Sequence, residues 1–90
     1  MKLLMCKNCG DIFSLSYEEK TCKCQNVKGK YIDNLNATYS GEYAIPIGFN
    51  NFDFGDAIYN QPFYGMGKRF EAFVIPKTCD TFVKTTWHIN

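Results

Sequence analysis

Ninety residues with ten basic and nine acidic side chains carry a formal net charge of +1, too close to neutral for binding that rests on phosphate neutralisation. The length suits one domain near the lower limit for a single hydrophobic core, and no run approaches the ~20 apolar residues of a membrane-spanning helix. The composition, 46% hydrophobic with eight Phe, six Tyr and one Trp, is that of a folded chain, and cores this small often carry a metal or disulfide staple.

The chain begins with Lys2-Leu3-Leu4-Met5, a short strand too brief for the apolar segment of a secretory signal. It runs into Cys6-Lys7-Asn8-Cys9-Gly10, where the glycine can adopt positive φ and bring backbone N–H groups towards sulfur. Residues 11–17 alternate, with Phe13, Leu15 and Tyr17 on one side and polar partners between, which predicts a half-buried strand. A polar turn over residues 18–21 returns the chain to Cys22-Lys23-Cys24. Residues 28–30 are a turn or a strand entry, and residues 31–35 and 37–40 are two short strands or one bulged strand. Gly41-Glu42 is a turn. Residues 43–49 are apolar, but Pro46 has no N–H to donate, so an edge strand or an extended loop is expected there.

Residues 50–60 are the predicted helix. Asn50 or Asn51 can cap it, Asp53 suits the positive end of its dipole, and Phe54, Ala57 and Ile58 recur at helical spacing. Gly55 weakens that helix by ~1 kcal/mol relative to alanine, and Gln61-Pro62 closes it. Gly65-Met66-Gly67 lacks the Gly-Lys-Ser/Thr of a phosphate loop. Residues 68–76 and 81–87 are predicted strands, and residues 76–80 are long enough to join them as a hairpin.

Two close pairs of thiols, Cys6/Cys9 and Cys22/Cys24, are the strongest chemical signal. Four thiolates satisfy a tetrahedral Zn²⁺, and pairs one or two residues apart place two sulfurs on one side of the metal. A redox Cys-x-x-Cys is expected instead at a helix N-terminus after a strand. An odd total of five cysteines argues against a complete disulfide framework. The expected cofactor is therefore one structural Zn²⁺ per chain, held by Cys6, Cys9, Cys22 and Cys24 in a reducing, cytoplasmic setting. A closed four-thiolate set leaves no open position for hydrolysis. The expected fold class is α+β: residues 1–90 form a single domain, an N-terminal zinc ribbon (1–30) leading into a small, mostly antiparallel sheet with one short helix (31–90).

Residues 1–30 resemble a zinc ribbon through Cys6-x-x-Cys9-Gly10 and Cys22-x-Cys24. Through "CGDIFSLSYEEKTCKC", "KGKYIDNLNATYSGEYAIPIGF" and "GMGKRFEAFVIPK", the chain is also similar to small uncharacterised zinc-ribbon proteins of bacteriophages and their bacterial hosts. Zinc ribbons serve transcription, translation, nucleic-acid binding and protein docking, so the class alone selects none of these. The resemblance implies an accessory protein of the host cytoplasm that works by binding, possessing no catalytic motif. In its sharpest form it implies an inhibitor of host defence.

The partner surface is expected between residues 49 and 66, where Phe49, Phe52, Phe54, Tyr59, Phe63, Tyr64 and Met66 are crowded together. Half of these suit the packing of helix on sheet, and the remainder, rimmed by Asn, Asp and Gln, suit a protein partner of basic or amphipathic character. Base stacking normally accompanies a basic groove, and this stretch carries only Asp53 and Asp56. The alternative is a nucleic-acid-binding ribbon using Lys7, Lys23, Lys28 and Lys30 with Tyr31. Residues 1–30 hold six Lys against three acids, and zinc with four thiolates lowers that excess by two. Cys79 and His88 are the remaining soft ligands. Either can replace a zinc ligand, or the two can form a nucleophile–base pair, but no spacing brings them together.

Overall fold

The computed structural model describes residues 2–85. Strand β1 (Lys2–Cys6) and strand β2 (Ile12–Ser14) form an antiparallel hairpin with Leu4 opposite Phe13. A second hairpin joins β3 (Lys20–Thr21) to β4 (Lys28–Tyr31), and β5 (Ala37–Ser40) pairs antiparallel with β4. The chain then crosses back: β6 (Ala44–Phe49) lies antiparallel to β1, with Pro46 opposite Leu4. Helix α1 (Asn51–Tyr59) follows. Strand β7 (Ala72–Val74) then pairs antiparallel with β6, and β8 (Phe82–Lys84) pairs parallel with β5. The result is two four-stranded sheets, ordered β2-β1-β6-β7 and β3-β4-β5-β8. Among the described residues only the β5–β8 pair is parallel and one short helix is present, the α+β, antiparallel-rich arrangement that the sequence pattern predicts. Among the described residues no helix is long and apolar enough to cross a membrane.

The core is drawn from both sheets: Leu4, Cys6, Leu15, Ala44 and Ile75 meet Cys22, Val27, Ala37, Tyr39 and Phe82. Leu4, Val27 and Phe82 are fully buried, each contributing on the order of 1.5–3 kcal/mol of transfer free energy. The Tyr39 and Phe82 rings meet edge-on with centroids 4.8 Å apart, the preferred geometry of aromatic pairs. The alternation within strands follows the two-residue period. In β6, Ala44, Pro46 and Gly48 are buried while Ile45, Ile47 and Phe49 are half-buried. The Phe73 ring of β7 lies over Gly48, where a side chain would displace it.

Three local expectations change. Pro46 lies in a strand with neighbours on both sides, not at an edge. Its missing N–H leaves the facing position without a donor, and the β6–β7 register ends at Ile47–Val74. Its carbonyl still accepts from the Ile75 N–H at 2.9 Å. Residues 32–35 turn instead of extending, because the Asp33 carboxylate accepts the Leu35 and Asn36 N–H groups at 2.9 and 2.7 Å, a local bond that competes with a ladder. The last two strands are not a hairpin: β7 and β8 belong to different sheets, and residues 75–81 carry the chain from one to the other. The strand predicted over 68–76 is limited to β7, and the end of the predicted 81–87 strand lies outside the described residues.

Helix α1 starts as its sequence predicts, with the Asn50 side chain accepting the Asp53 N–H at 3.2 Å. Within it, only Ala57 is buried. Gly41 closes the crossing from β5 to β6 at φ 119°, where an added β-carbon would collide with the backbone carbonyl of Asn26. We expect Gly41→Ala to destabilise the metal-loaded protein by at least ~1–3 kcal/mol, the cost of holding a side chain in that backbone region. Gly55→Ala should stabilise it by ~0.5–1 kcal/mol, because an added methyl there meets nothing within 4 Å. Denaturant unfolding of the two variants against the parent checks both signs.

Candidate metal centre

The two cysteine pairs sit in the turns of the two hairpins, Cys6/Cys9 between β1 and β2 and Cys22/Cys24 between β3 and β4. Both turns are closed by the same long-step bond: Cys6 N–H donates to the Asp11 carbonyl at 2.9 Å, and Cys22 N–H to the Val27 carbonyl at 3.0 Å. Within each, the residue after the second cysteine reverses the chain with positive φ. Gly10 does so at 78° and donates to the Cys6 carbonyl at 2.8 Å; Gln25 does so at 66° and donates to the Cys22 carbonyl at 3.0 Å. The two knuckles are thus matched in form although the second has one residue fewer between its cysteines. Gln25 has the role that glycine fills in the first knuckle, which composition does not reveal, since a non-glycine residue there costs on the order of 1 kcal/mol. A further bond ties the turns together: the Asp11 carboxylate accepts the Lys23 N–H at 3.1 Å.

This arrangement brings all four sulfurs within 4.8 Å of one another. Cys24 Sγ lies 3.6 Å from Cys6 Sγ and 3.5 Å from Cys22 Sγ. Those separations far exceed a disulfide bond of ~2.05 Å, and all four thiols are free. Tetrahedral coordination with metal–sulfur bonds of ~2.3 Å places sulfurs ~3.8 Å apart. The cluster therefore has the size and the donor set to hold a metal ion. Cys6 and Cys22 are buried, Cys24 is half-buried and Cys9 is exposed, so the site lies at the edge of the core with one side towards solvent.

The thiols differ in acidity for visible reasons. Burial pushes Cys6 up to about 11. Cys24 is held down at about 6, first by the Asn8 side-chain amide and then by the Asn26 backbone N–H. The Asn8 and Asn26 amide nitrogens lie 3.4 and 3.3 Å from its sulfur. Cys9 is lowered by backbone hydrogen bonds from Cys24 and Asp11. N–H donors aimed at a ligating sulfur stabilise the anionic form that metal binding requires. These two asparagines escape motif reading, although their places in the two turns, two residues after Cys6 and two after Cys24, were available as a cue.

The other candidates are dispersed. Cys79 is half-buried with its sulfur 3.6 Å from Thr81 Oγ1, and that hydroxyl is the main cause of its lowered pKa. It does not join the four-cysteine cluster. His88 lies outside the described residues. The aromatics of the expected partner surface divide into three groups. Phe49 and Phe54 pack with Phe70 at centroid separations of 4.8–5.2 Å. Phe52 and Tyr59, seven residues apart, fall within about 20° on the helix, on the side away from Ala57. Phe63, Tyr64 and Met66 project from the segment after α1. The five residues of the last two groups are 84–102% exposed.

Comparison with known proteins matches no family model, no curated protein and no solved structure. The part of the resemblance that the structure supports is the ribbon-like four-cysteine site.

Metal loading near neutral pH should release fewer than four protons per ion, because Cys24 is already ionised above about 6. It should release at least one, because Cys6 stays protonated up to about 11. As the pH falls through the Cys24 value, that thiol also takes up a proton, so the affinity should fall more steeply there. Titration calorimetry in buffers of different ionisation enthalpy counts the protons. Cys22→Ser should abolish tight metal binding and cooperative unfolding together, followed by metal analysis and far-ultraviolet dichroism on one sample.

Proposed function

We propose that this chain is a non-enzymatic zinc protein that works by binding another protein through its exposed aromatic surface. Zinc is the ion best matched to the cluster, because four soft thiolates in tetrahedral array favour it over the hard, oxygen-seeking divalent ions. With every ligand supplied by the chain, the ion has no open position for a substrate or a water nucleophile, and its role is to hold the fold. The free thiols suit a reducing compartment such as the cytoplasm.

The observation that carries the binding role is the exposure of Phe52, Tyr59, Phe63, Tyr64 and Met66. A small monomer seldom leaves so much aromatic area in water unless it meets a partner. The resemblance read in the sequence would place such a partner within host transcription, replication or defence machinery. The rival nucleic-acid reading is disfavoured at Tyr31. Its ring packs 6.1 Å from Tyr17, with the Lys2 amine 5.7 Å from its centroid, and it is not presented as a free stacking platform.

Elemental analysis of protein purified under reducing conditions should give one zinc per chain, and a metal-free, fully folded protein with two disulfides overturns the zinc assignment. Capture from lysate by the zinc-loaded protein should be lost when Phe52, Tyr59, Phe63 and Tyr64 are replaced together by serine, with zinc content unchanged. Equal capture by the two proteins overturns the surface assignment. Binding of short DNA or RNA that weakens steeply between low and physiological salt would favour the nucleic-acid reading instead.

A further inference from the structure

A groove of about 580 Å³ lies beside α1, lined chiefly by Phe54, Ala57, Ile58, Phe63, Tyr64 and Phe70. Its volume falls within the ~300–1,000 Å³ of pockets that accept sizeable apolar groups. We propose that this groove is the interface of a two-fold dimer, in which the segment carrying Phe63 and Tyr64 packs into the groove of a second copy of the chain. The proposal rests on the protein-binding reading above and assigns this groove to a second copy of the chain, in place of the host protein that the resemblance implies.

A two-fold interface places one patch against itself, so the patch must carry both a projection and the recess that receives it. Phe63, 102% exposed, and Tyr64, 90% exposed, stand on the wall of the groove they border. Among the described residues neither has an aromatic partner, whereas Phe49, Phe54 and Phe70 are packed with one another. The area also suits a dimer. Phe63 and Tyr64 alone offer roughly 300–450 Å², and the exposed parts of Ile58, Met66 and Phe70 bring the patch towards the ~800 Å² that each side of a standard interface buries.

Charge points the same way. The groove rim carries both signs: Asp56 and Lys68 lie 3.7 Å apart with their side chains in water, and Asp53 and Arg69 are exposed nearby in the chain. A strongly basic or strongly acidic partner would meet one like charge for each opposite one. A second copy, related by a two-fold axis, can set Lys68 against Asp56 in both directions. The apolar, weakly charged lining is also the character of homodimer interfaces.

Sedimentation velocity on the zinc-loaded full chain, from micromolar to several hundred micromolar, should show a concentration-dependent dimer. Phe63→Ala and Ile58→Glu should each raise the dissociation constant roughly tenfold or more. Both side chains are exposed, so zinc content and far-ultraviolet dichroism should not change. A monomer at every concentration overturns the proposal, as does a dimer indifferent to both substitutions. A monomer that still captures another protein in an aromatic-dependent way overturns the second copy alone; a monomer that captures nothing overturns the protein-binding reading as well.

Discussion

Four thiols meet in one cluster from two hairpins that share no strand ladder. One hairpin belongs to the β2-β1-β6-β7 sheet and the other to the β3-β4-β5-β8 sheet, so an ion bound by Cys6, Cys9, Cys22 and Cys24 staples sheet to sheet, beyond closing a local loop. The second hairpin needs this most. Strand β3 contributes only Lys20 and Thr21 to its ladder, and a two-stranded piece of that size is marginal in water. Core contacts such as Leu4 against Gly29 of β4 hold the sheets together farther from the metal. The Cys6 and Cys22 side chains belong to that core, so the metal site and the apolar packing are one structure.

The site is also graded across its four ligands. Cys6 is buried and resists ionisation, while Cys24 is surrounded by amide donors and ionises readily. An ion arriving from the exposed side would meet a thiolate first and displace the more deeply held proton last. The bonds from Cys6 and Cys22 to the carbonyls of Asp11 and Val27 close the same turns that carry the ligands, so a bound ion and these backbone bonds would favour one arrangement.

Helix α1 stands apart from this arrangement. With Ala57 its only buried residue, it adds little to the core. It is held at its start by the Asn50 cap, whose N–H and side-chain amide also reach Glu71 at 2.8 and 3.1 Å. It contributes little burial and carries Phe52 and Tyr59 outward into solvent. The same division of labour appears in the aromatic residues, where Tyr39 and Phe82 build the core and those of the segment after α1 do not.

Much of this was legible in the chain itself. The four cysteines could be assigned because ligand chemistry depends on close spacing, and a helix starting at Asn50 could be read because capping is local. The turn at Gly41 was visible for the same reason, since glycine is the residue that tolerates its backbone angle. Other features depend on partners distant in sequence. Pro46 reads as an edge residue until the early end of β7 is known, and residues 68–84 read as a hairpin until each strand is seen to join a different sheet. Gln25 imitates glycine only because the knuckle around it is closed by Cys22 and Val27. Which aromatics are covered follows no local pattern at all: Phe54 and Phe63 look alike in sequence, and only the position of Phe70 separates them. Ligand spacing and capping are settled within a few bonds, whereas burial and strand order are settled by long-range packing, and this is why the four-cysteine cluster could be read from the residues while the division into covered and exposed aromatics needed the fold.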